Sequence, residues 1–221
     1  SWKSTNCTSS GNDPRSDSLG TMKITCASFV KTATRPDQYP PAVTPELAVA
    51  GRSNVGKSSL INVLLNRRRL VRTSHTPGRT QALNFFTVND RYSVVDLPGY
   101  GYAKVPEAVR RQWGPMVETY LRVRETLRMV LVVMDSRREP TRDDLSLVGW
   151  LRAYRRPWLP VLTKIDKLSR SEARQAVLRF RKPLDLGGGT DVIVFSARTG
   201  EGRERLWTAV EEALRSPNQV P

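Results

Sequence analysis

The stretch "GRSNVGKS", Gly51 to Ser58, decides the fold. It follows the apolar run "LAVAG", Leu47–Gly51, and opens a helical pattern over Lys57–Arg68. A strand, a glycine-bearing loop and a helix in that order form a phosphate loop. The glycines permit a turn whose backbone N–H groups face inward, an anion nest at the positive end of a helix. In such a loop Lys57 supplies a point charge for the β- and γ-phosphates of a nucleotide, and Ser58 offers a hydroxyl to Mg²⁺. Arg52, Ser53, Asn54, Val55 and Gly56 complete the cradle.

Outward from that loop, apolar runs recur with helical stretches between them. "YSVVDLPG" (Tyr92–Gly99), "MVLVVMD" (Met129–Asp135), "PVLTK" (Pro160–Lys164) and "DVIVFSA" (Asp191–Ala197) are near-continuous apolar strands. Such runs are expected where helices cover both faces of a sheet. "ALNFFTV" (Ala82–Val88) is broken by Asn84 and Thr87 and leads through Asn89–Asp90 to Tyr92, which predicts an antiparallel edge hairpin. Helices are expected at Pro106–Arg128, Thr141–Tyr154, Ser171–Arg181 and Arg203–Arg215, several opening on capping residues and acids. The fold class is α/β: a P-loop NTPase with a doubly wound, mostly parallel six-stranded sheet and one antiparallel edge strand.

The chain of 221 residues suits one domain. Residues 1–21 are polar and without apolar period, so a disordered leader or remnant is expected there. The domain then runs over 22–216, with a short tail at 217–221. The longest apolar run, Met129–Met134, is too short to cross a bilayer. Cys7 and Cys26 offer neither a disulfide framework nor metal spacing, and His75 reads as a loop residue. No metal cluster is expected. Lys and Arg total 36 against 21 acids, a net charge of +15, which favours a polyanionic partner, nucleic acid ahead of membrane.

Further motifs stand in order behind the phosphate loop. "DLPG", Asp96–Gly99, places an acid at a strand end, where it holds magnesium through water, and a glycine whose N–H reaches a γ-phosphate. "TKID", Thr163–Asp166, selects the base: guanine presents two donors that one carboxylate accepts together, and adenine does not. Lys164's stem covers the base face. "FSA", Phe195–Ala197, ends the last strand where backbone N–H groups meet guanine O6. In "TPGRTQ", Thr76–Gln81, Thr80 is the threonine expected to close over Mg²⁺ when a γ-phosphate is bound. Tyr100 stands where many nucleotide hydrolases place a water-orienting glutamine. It is expected to pack in an apolar crevice and fix the second switch. Catalytic charge then has to come from elsewhere: Lys57, Arg79 inside the switch loop, or a monovalent cation held by the Asn54 side chain.

The run "GRSNVGKSSLIN", "TPGRTQ", "NFF", "DLPGYGYAKV", "TKIDK" and "FSA" resembles the EngB/YsxC (YihA) family of bacterial ribosome-assembly GTPases, over about Pro45 to Leu214. The resemblance implies a Ras-like fold, a cytoplasmic monomer, slow Mg²⁺-dependent conversion of GTP to GDP, and a role in large ribosomal subunit assembly that normal growth and cell division need. It places nucleotide contacts on Gly51–Ser58, on Gly78, Arg79, Thr80, Gln81 and Ala82, on Asp96, Leu97, Pro98 and Gly99, on Thr163, Lys164, Ile165 and Asp166, and on Phe195, Ser196 and Ala197. Mg²⁺ falls to Ser58 and Thr80, with Asp96 acting through water. Related GTPases with an asparagine at the position of Asn54 use K⁺. Two other readings stay open: a nucleotide-gated RNA-binding module with incidental hydrolysis, and an ATPase or small-molecule kinase, which has no use for "TKID".

Asp166→Asn is expected to lose GTP affinity, because its amide faces guanine's donors with donors of its own, and to gain affinity for xanthine nucleotides. Calorimetric titration with both nucleotides checks this; unchanged GTP binding would defeat the guanine assignment.

Overall fold

In the computed structural model the described residues are 23–67, 70–71, 82–101, 107–187 and 190–216, with backbone alone at 107–112. Their elements are β1 (Ala27–Ala33), β2 (Glu46–Gly51), α1 (Lys57–Leu64), β3 (Leu83–Val88), β4 (Tyr92–Asp96), α2 (Glu107–Val123), β5 (Leu127–Asp135), α3 (Arg142–Ala153), β6 (Trp158–Thr163), α4 (Arg170–Arg181), β7 (Ile193–Val194) and α5 (Arg203–Arg215). Short 3₁₀ turns lie at Pro36–Gln38 and Ile165–Lys167.

The strands form one sheet in the order β1-β3-β4-β2-β5-β6-β7. β4, β2, β5, β6 and β7 run parallel, whereas β3 is antiparallel to both of its neighbours. The α/β fold class stands, with seven strands in place of six. The added strand, β1, pairs outside β3, so the antiparallel strand lies one place in from the edge. β1 escaped the sequence pattern because "ASFVKTA" is mostly half-exposed, with a register break between Phe29 and Lys31.

Why the parallel strands are apolar throughout is visible in β2. All six of its residues are buried. Leu47 and Val49 join the core beneath α1 and α5, with Leu60, Leu64, Leu206 and Val210. Ala48 and Ala50 join the core beneath α2, α3 and α4, with Val117, Leu121, Leu147, Leu151 and Phe180. A strand covered on both faces has no solvated position for a polar residue, and the one that β2 carries, Glu46, is paired. Several expected elements are shorter than their patterns. α1 stops at Leu64, α2 stops at Val123 because Leu127 already belongs to β5, and β7 keeps two residues because its continuation turns into a loop. Cys26, where no disulfide framework was expected, is disulfide-bonded, its partner lying outside the described residues. A single cross-link needs none of the repeated spacings by which a framework shows in sequence. The expectations for residues 1–21, His75 and 217–221 also fall outside them.

One buried ion pair pins the end of the sheet remote from the phosphate loop. Glu46, the first residue of β2, is 1% exposed, and Arg124, just past α2, is 5% exposed. Arg124 Nε donates to both Glu46 carboxylate oxygens at 2.9 and 2.8 Å, its Nη2 also reaches Oε1, and its Nη1 donates to Pro40 O at 2.9 Å. Tyr120 donates its hydroxyl to Glu46 Oε2 at 3.1 Å. The guanidinium lies over the rings of Tyr39 and Phe85. Removing one partner of such a pair leaves a buried charge uncompensated. Arg124→Met is therefore expected to destabilise the chain by about 3–5 kcal/mol in urea denaturation. A loss below about 1 kcal/mol would contradict a structural role for this pair.

Candidate nucleotide site

The sheet register brings four strand ends to one edge. Val49 pairs with Asp96, Gly51 with Val133, and Asp135 with Thr163. Ligands of open parallel α/β sheets bind at this carboxyl edge. The loop Arg52–Gly56 crosses it from β2 to α1. The glycines at its two ends, Gly51 just before it and Gly56 closing it, are needed for different reasons. A Cβ on Gly51 would stand 2.5 Å from the Val133 carbonyl oxygen, so the residue must be small where β2 meets β5. Gly56 has φ +104°, a left-handed conformation that glycine adopts without strain. Asn54 also sits in the left-handed region, at φ 66°, which asparagine tolerates better than most residues.

Lys57 begins α1 and is buried. Its ammonium donates to Asp96 Oδ1 and, at 2.6 Å, to the Leu97 carbonyl oxygen. Ser58 follows it in the first turn of α1. Leu97 N–H returns to Val49 O at 3.0 Å, and Gly99 lies so close to the loop that a Cβ would be 3.1 Å from Ser53 Oγ. Asp96 accepts no other bond among the described residues. One carboxylate and one hydroxyl, both oxygen donors, suit a hard cation such as Mg²⁺.

The Thr163–Asp166 loop, expected to read the base, is fastened to the phosphate loop. The Thr163 hydroxyl lies 2.5 Å from Val55 O and 3.0 Å from Met134 O. Lys164, left-handed at φ 61°, donates from Nζ to Asn54 O at 2.6 Å and to Asp135 Oδ2 at 3.0 Å. Ile165 N–H bonds Phe195 O at 3.3 Å. Ser196 donates its hydroxyl to Asp166 Oδ1 at 2.8 Å and accepts backbone N–H bonds from Arg198 and Thr199. Asp166 is thereby aimed by a residue of the "FSA" segment, while Phe195 is buried and Ala197 exposed.

The expected residues of the phosphate loop, of Asp96–Gly99, of Thr163–Asp166 and of Phe195–Ala197 thus share one edge. Ala82 lies immediately before β3. Gly78, Arg79, Thr80 and Gln81 lie outside the described residues, as does Thr76. Sequence reasoning missed Asp135. Burial pushes its carboxyl up, but bonds from Arg137 and Lys164 outweigh burial and hold it well below the usual carboxylate range. Its signal was present, because "VVMD" ends an apolar strand on an acid just as "SVVD" does.

Tyr100 packs as expected and does more. It is buried and tilted against Trp113 at 4.7 Å between centroids; Trp113 in turn neighbours Trp150 and donates its indole N–H to Pro98 O at 2.8 Å. The Tyr100 carbonyl accepts from Ser53 N–H at 2.9 Å. Its hydroxyl donates to Asp144 Oδ1 at 2.6 Å. Asp144 Oδ2 meanwhile closes the capping box of α3, accepting from the Thr141 N–H and hydroxyl. Burial, then the Asp144 charge, pushes the Tyr100 phenol well above its ordinary range.

A family profile described as 50S ribosome-binding GTPase matches residues 46–164. The chain is 57% identical over 192 residues to the probable GTP-binding protein EngB of Syntrophus aciditrophicus, covering 87% of this chain and 97% of that protein. It is 55% identical over 195 residues to the probable GTP-binding protein EngB of Geobacter metallireducens, covering 87% and 94%. Among solved structures it is similar to a probable GTP-binding protein engB, with a TM-score of 0.66 at 23% identity over 77% of this chain and 98% of that one. Era from Aquifex aeolicus, solved with GDP·AlF₄⁻, shares the fold with a TM-score of 0.60 at 19% identity, over 79% and 58%.

Tyr100→Phe keeps the ring and removes the hydroxyl, leaving Asp144 Oδ1 without its donor. A stability loss of about 1–3 kcal/mol is expected. Because the folded phenol titrates above the unfolded value, its contribution is complete below about pH 10 and fades as pH rises beyond it. The gap between wild type and variant should therefore narrow at high pH. Urea denaturation at neutral pH and at about pH 11 reads both effects; equal neutral stabilities would remove the bond's role.

Proposed function

The chain belongs to the EngB family of GTP-binding proteins and is a GTPase with a ribosome-binding GTPase domain, and from that premise we propose that it works as a slow GTP-driven switch in large ribosomal subunit assembly, needed for normal growth and cell division. The observation that carries the nucleotide half of this reading is Asp166, braced by Ser196 at the edge that also holds the phosphate loop. In the proposed site Asp166 accepts from guanine N1–H and the exocyclic amine, Lys164 covers the base, and Lys57 holds the β- and γ-phosphates. Backbone N–H groups of Gly51–Ser58 and Gly99 complete the phosphate contacts, and Thr80 and Gln81 close from the first switch.

Ser58 and Thr80 are the proposed Mg²⁺ ligands, with Asp96 acting through a bound water. When present, Mg²⁺ neutralises charge developing on the phosphates. Tyr100 has no side-chain amide with which to orient water, and its hydroxyl is already committed to Asp144. That supports slow turnover. The missing charge is assigned to a K⁺ ion at Asn54, whose backbone carbonyl is already fixed by Lys164, with Arg79 as the alternative. The cellular form proposed is a cytoplasmic monomer with residues 22–216 as its one domain. Among the described residues no helix is long and apolar enough to cross a membrane, and no cluster of three His, Cys, Asp or Glu is placed to hold a metal.

Two measurements test this. Binding to purified large ribosomal subunits should be tighter with a non-hydrolysable GTP analogue than with GDP; equal binding would defeat the switch. GTP turnover should rise in K⁺ over Na⁺ at matched ionic strength, and Asn54→Ala should erase the difference while GDP binding survives. Equal rates in both salts would exclude the cation.

A further inference from the structure

The net charge of +15 is not evenly spread over the helices. α3 carries two arginines against two aspartates, and α5 three arginines against three glutamates. α4 carries four arginines against one acid, Glu172, and Lys182 follows directly. Glu172 is exposed but engaged by its own cap, accepting from Ser169 N–H at 2.7 Å, and it makes no ion pair with the arginines of α4 among the described residues.

The pairing of these cations differs too. Arg205 and Arg215 of α5 meet Asp191 and Glu211, and Arg152 of α3 meets Asp185. In α4, Arg179 is used against Glu139 and Ser136 O, and Arg181 braces the carbonyls of Gly187 and Thr190. Arg170, Arg174 and Lys182 make no ion pair among the described residues, and all three are exposed. Spaced at i, i+4 and i+12, they line one side of the helix, opposite buried Ala176 and Phe180. Leu178 fills the remaining i+8 place at 67% exposure. The row begins beside exposed Lys167, on the base-reading loop.

We infer that this outer face of α4 is an RNA-docking surface, with Arg174 and Lys182 on backbone phosphates and Leu178 packed between them against ribose or base. Unpaired, solvated cations in a row are what phosphate neutralisation with counterion release requires. A membrane surface is disfavoured because a single leucine supplies little apolar area to insert. An acidic protein is disfavoured because the face offers no aromatic anchor for a protein interface. The inference deepens the ribosome-binding reading and rests on it for the identity of the RNA.

The test uses the full chain, Arg174→Glu/Lys182→Glu, and the milder Arg174→Gln/Lys182→Gln. Each is measured against purified large ribosomal subunits, a protein-free ribosomal RNA hairpin and phosphatidylglycerol vesicles. Wild type should bind subunits and hairpin. The charge reversal should weaken both about tenfold or more, and the neutral variant should lower the slope of log affinity on log salt by about 1.4–1.8, two contacts' worth. GTP binding should stay unchanged in both variants. Hairpin binding that depends on these residues, without subunit binding, would overturn the ribosomal reading and keep the surface. Subunit binding indifferent to both variants would overturn the surface and keep the ribosomal reading. Binding to neither RNA, or the same dependence on vesicles alone, would overturn the surface.

Discussion

A lysine ammonium that is 8% exposed cannot stand alone, and the site is organised around the partners Lys57 is given. They are the Asp96 carboxylate at the end of β4 and the carbonyl of Leu97 just beyond it. That pairing ties the start of α1 to the neighbouring strand. It also requires β4 to end beside β2, and their parallel register sets Asp96 against Val49, two residues before β2 ends at Gly51. The charge proposed to serve a phosphate and the acid proposed to serve a cation are therefore one contact apart.

The phosphate loop is held from three directions by chain segments far away in sequence. Thr163 and Lys164 reach Val55 O and Asn54 O from the end of β6. Tyr100 receives Ser53 N–H from the second switch, and Val133 crowds Gly51 from β5. A loop fixed in this way is preorganised for an anion, so little ordering remains for binding to supply. The same contacts join the phosphate loop to the start of α3. Tyr100 is bonded on one side to the loop and on the other to Asp144, whose second oxygen caps α3. A shift of the second switch would change that cap.

Much of this was legible in sequence, because strand ends in a parallel sheet leave local marks: an apolar run, then an acid, glycine or "TKID". The phosphate loop, Asp96, Asp166 and the doubly wound order all show this way. β1 did not, since an edge strand with one half-exposed face has no continuous apolar run. The Glu46–Arg124 pair was invisible for another reason. Its members are 78 positions apart, and nothing local separates a buried charge from a solvated one. Tyr100 was legible as a residue that cannot orient water. Its bond to Asp144 depends on where α3 begins in space, which periodicity does not encode.

In the proposed site Lys57 gives up Asp96 for the β- and γ-phosphates when nucleotide binds. A crystal structure of the chain with Mg²⁺ and a non-hydrolysable GTP analogue tests it most directly. Lys57 Nζ should lie within hydrogen-bonding distance of the β- and γ-phosphate oxygens, with Asp96 turned to a magnesium-bound water and Asp166 against the guanine edge. Lys57 still bonded to Asp96 beside a bound nucleotide would contradict the account.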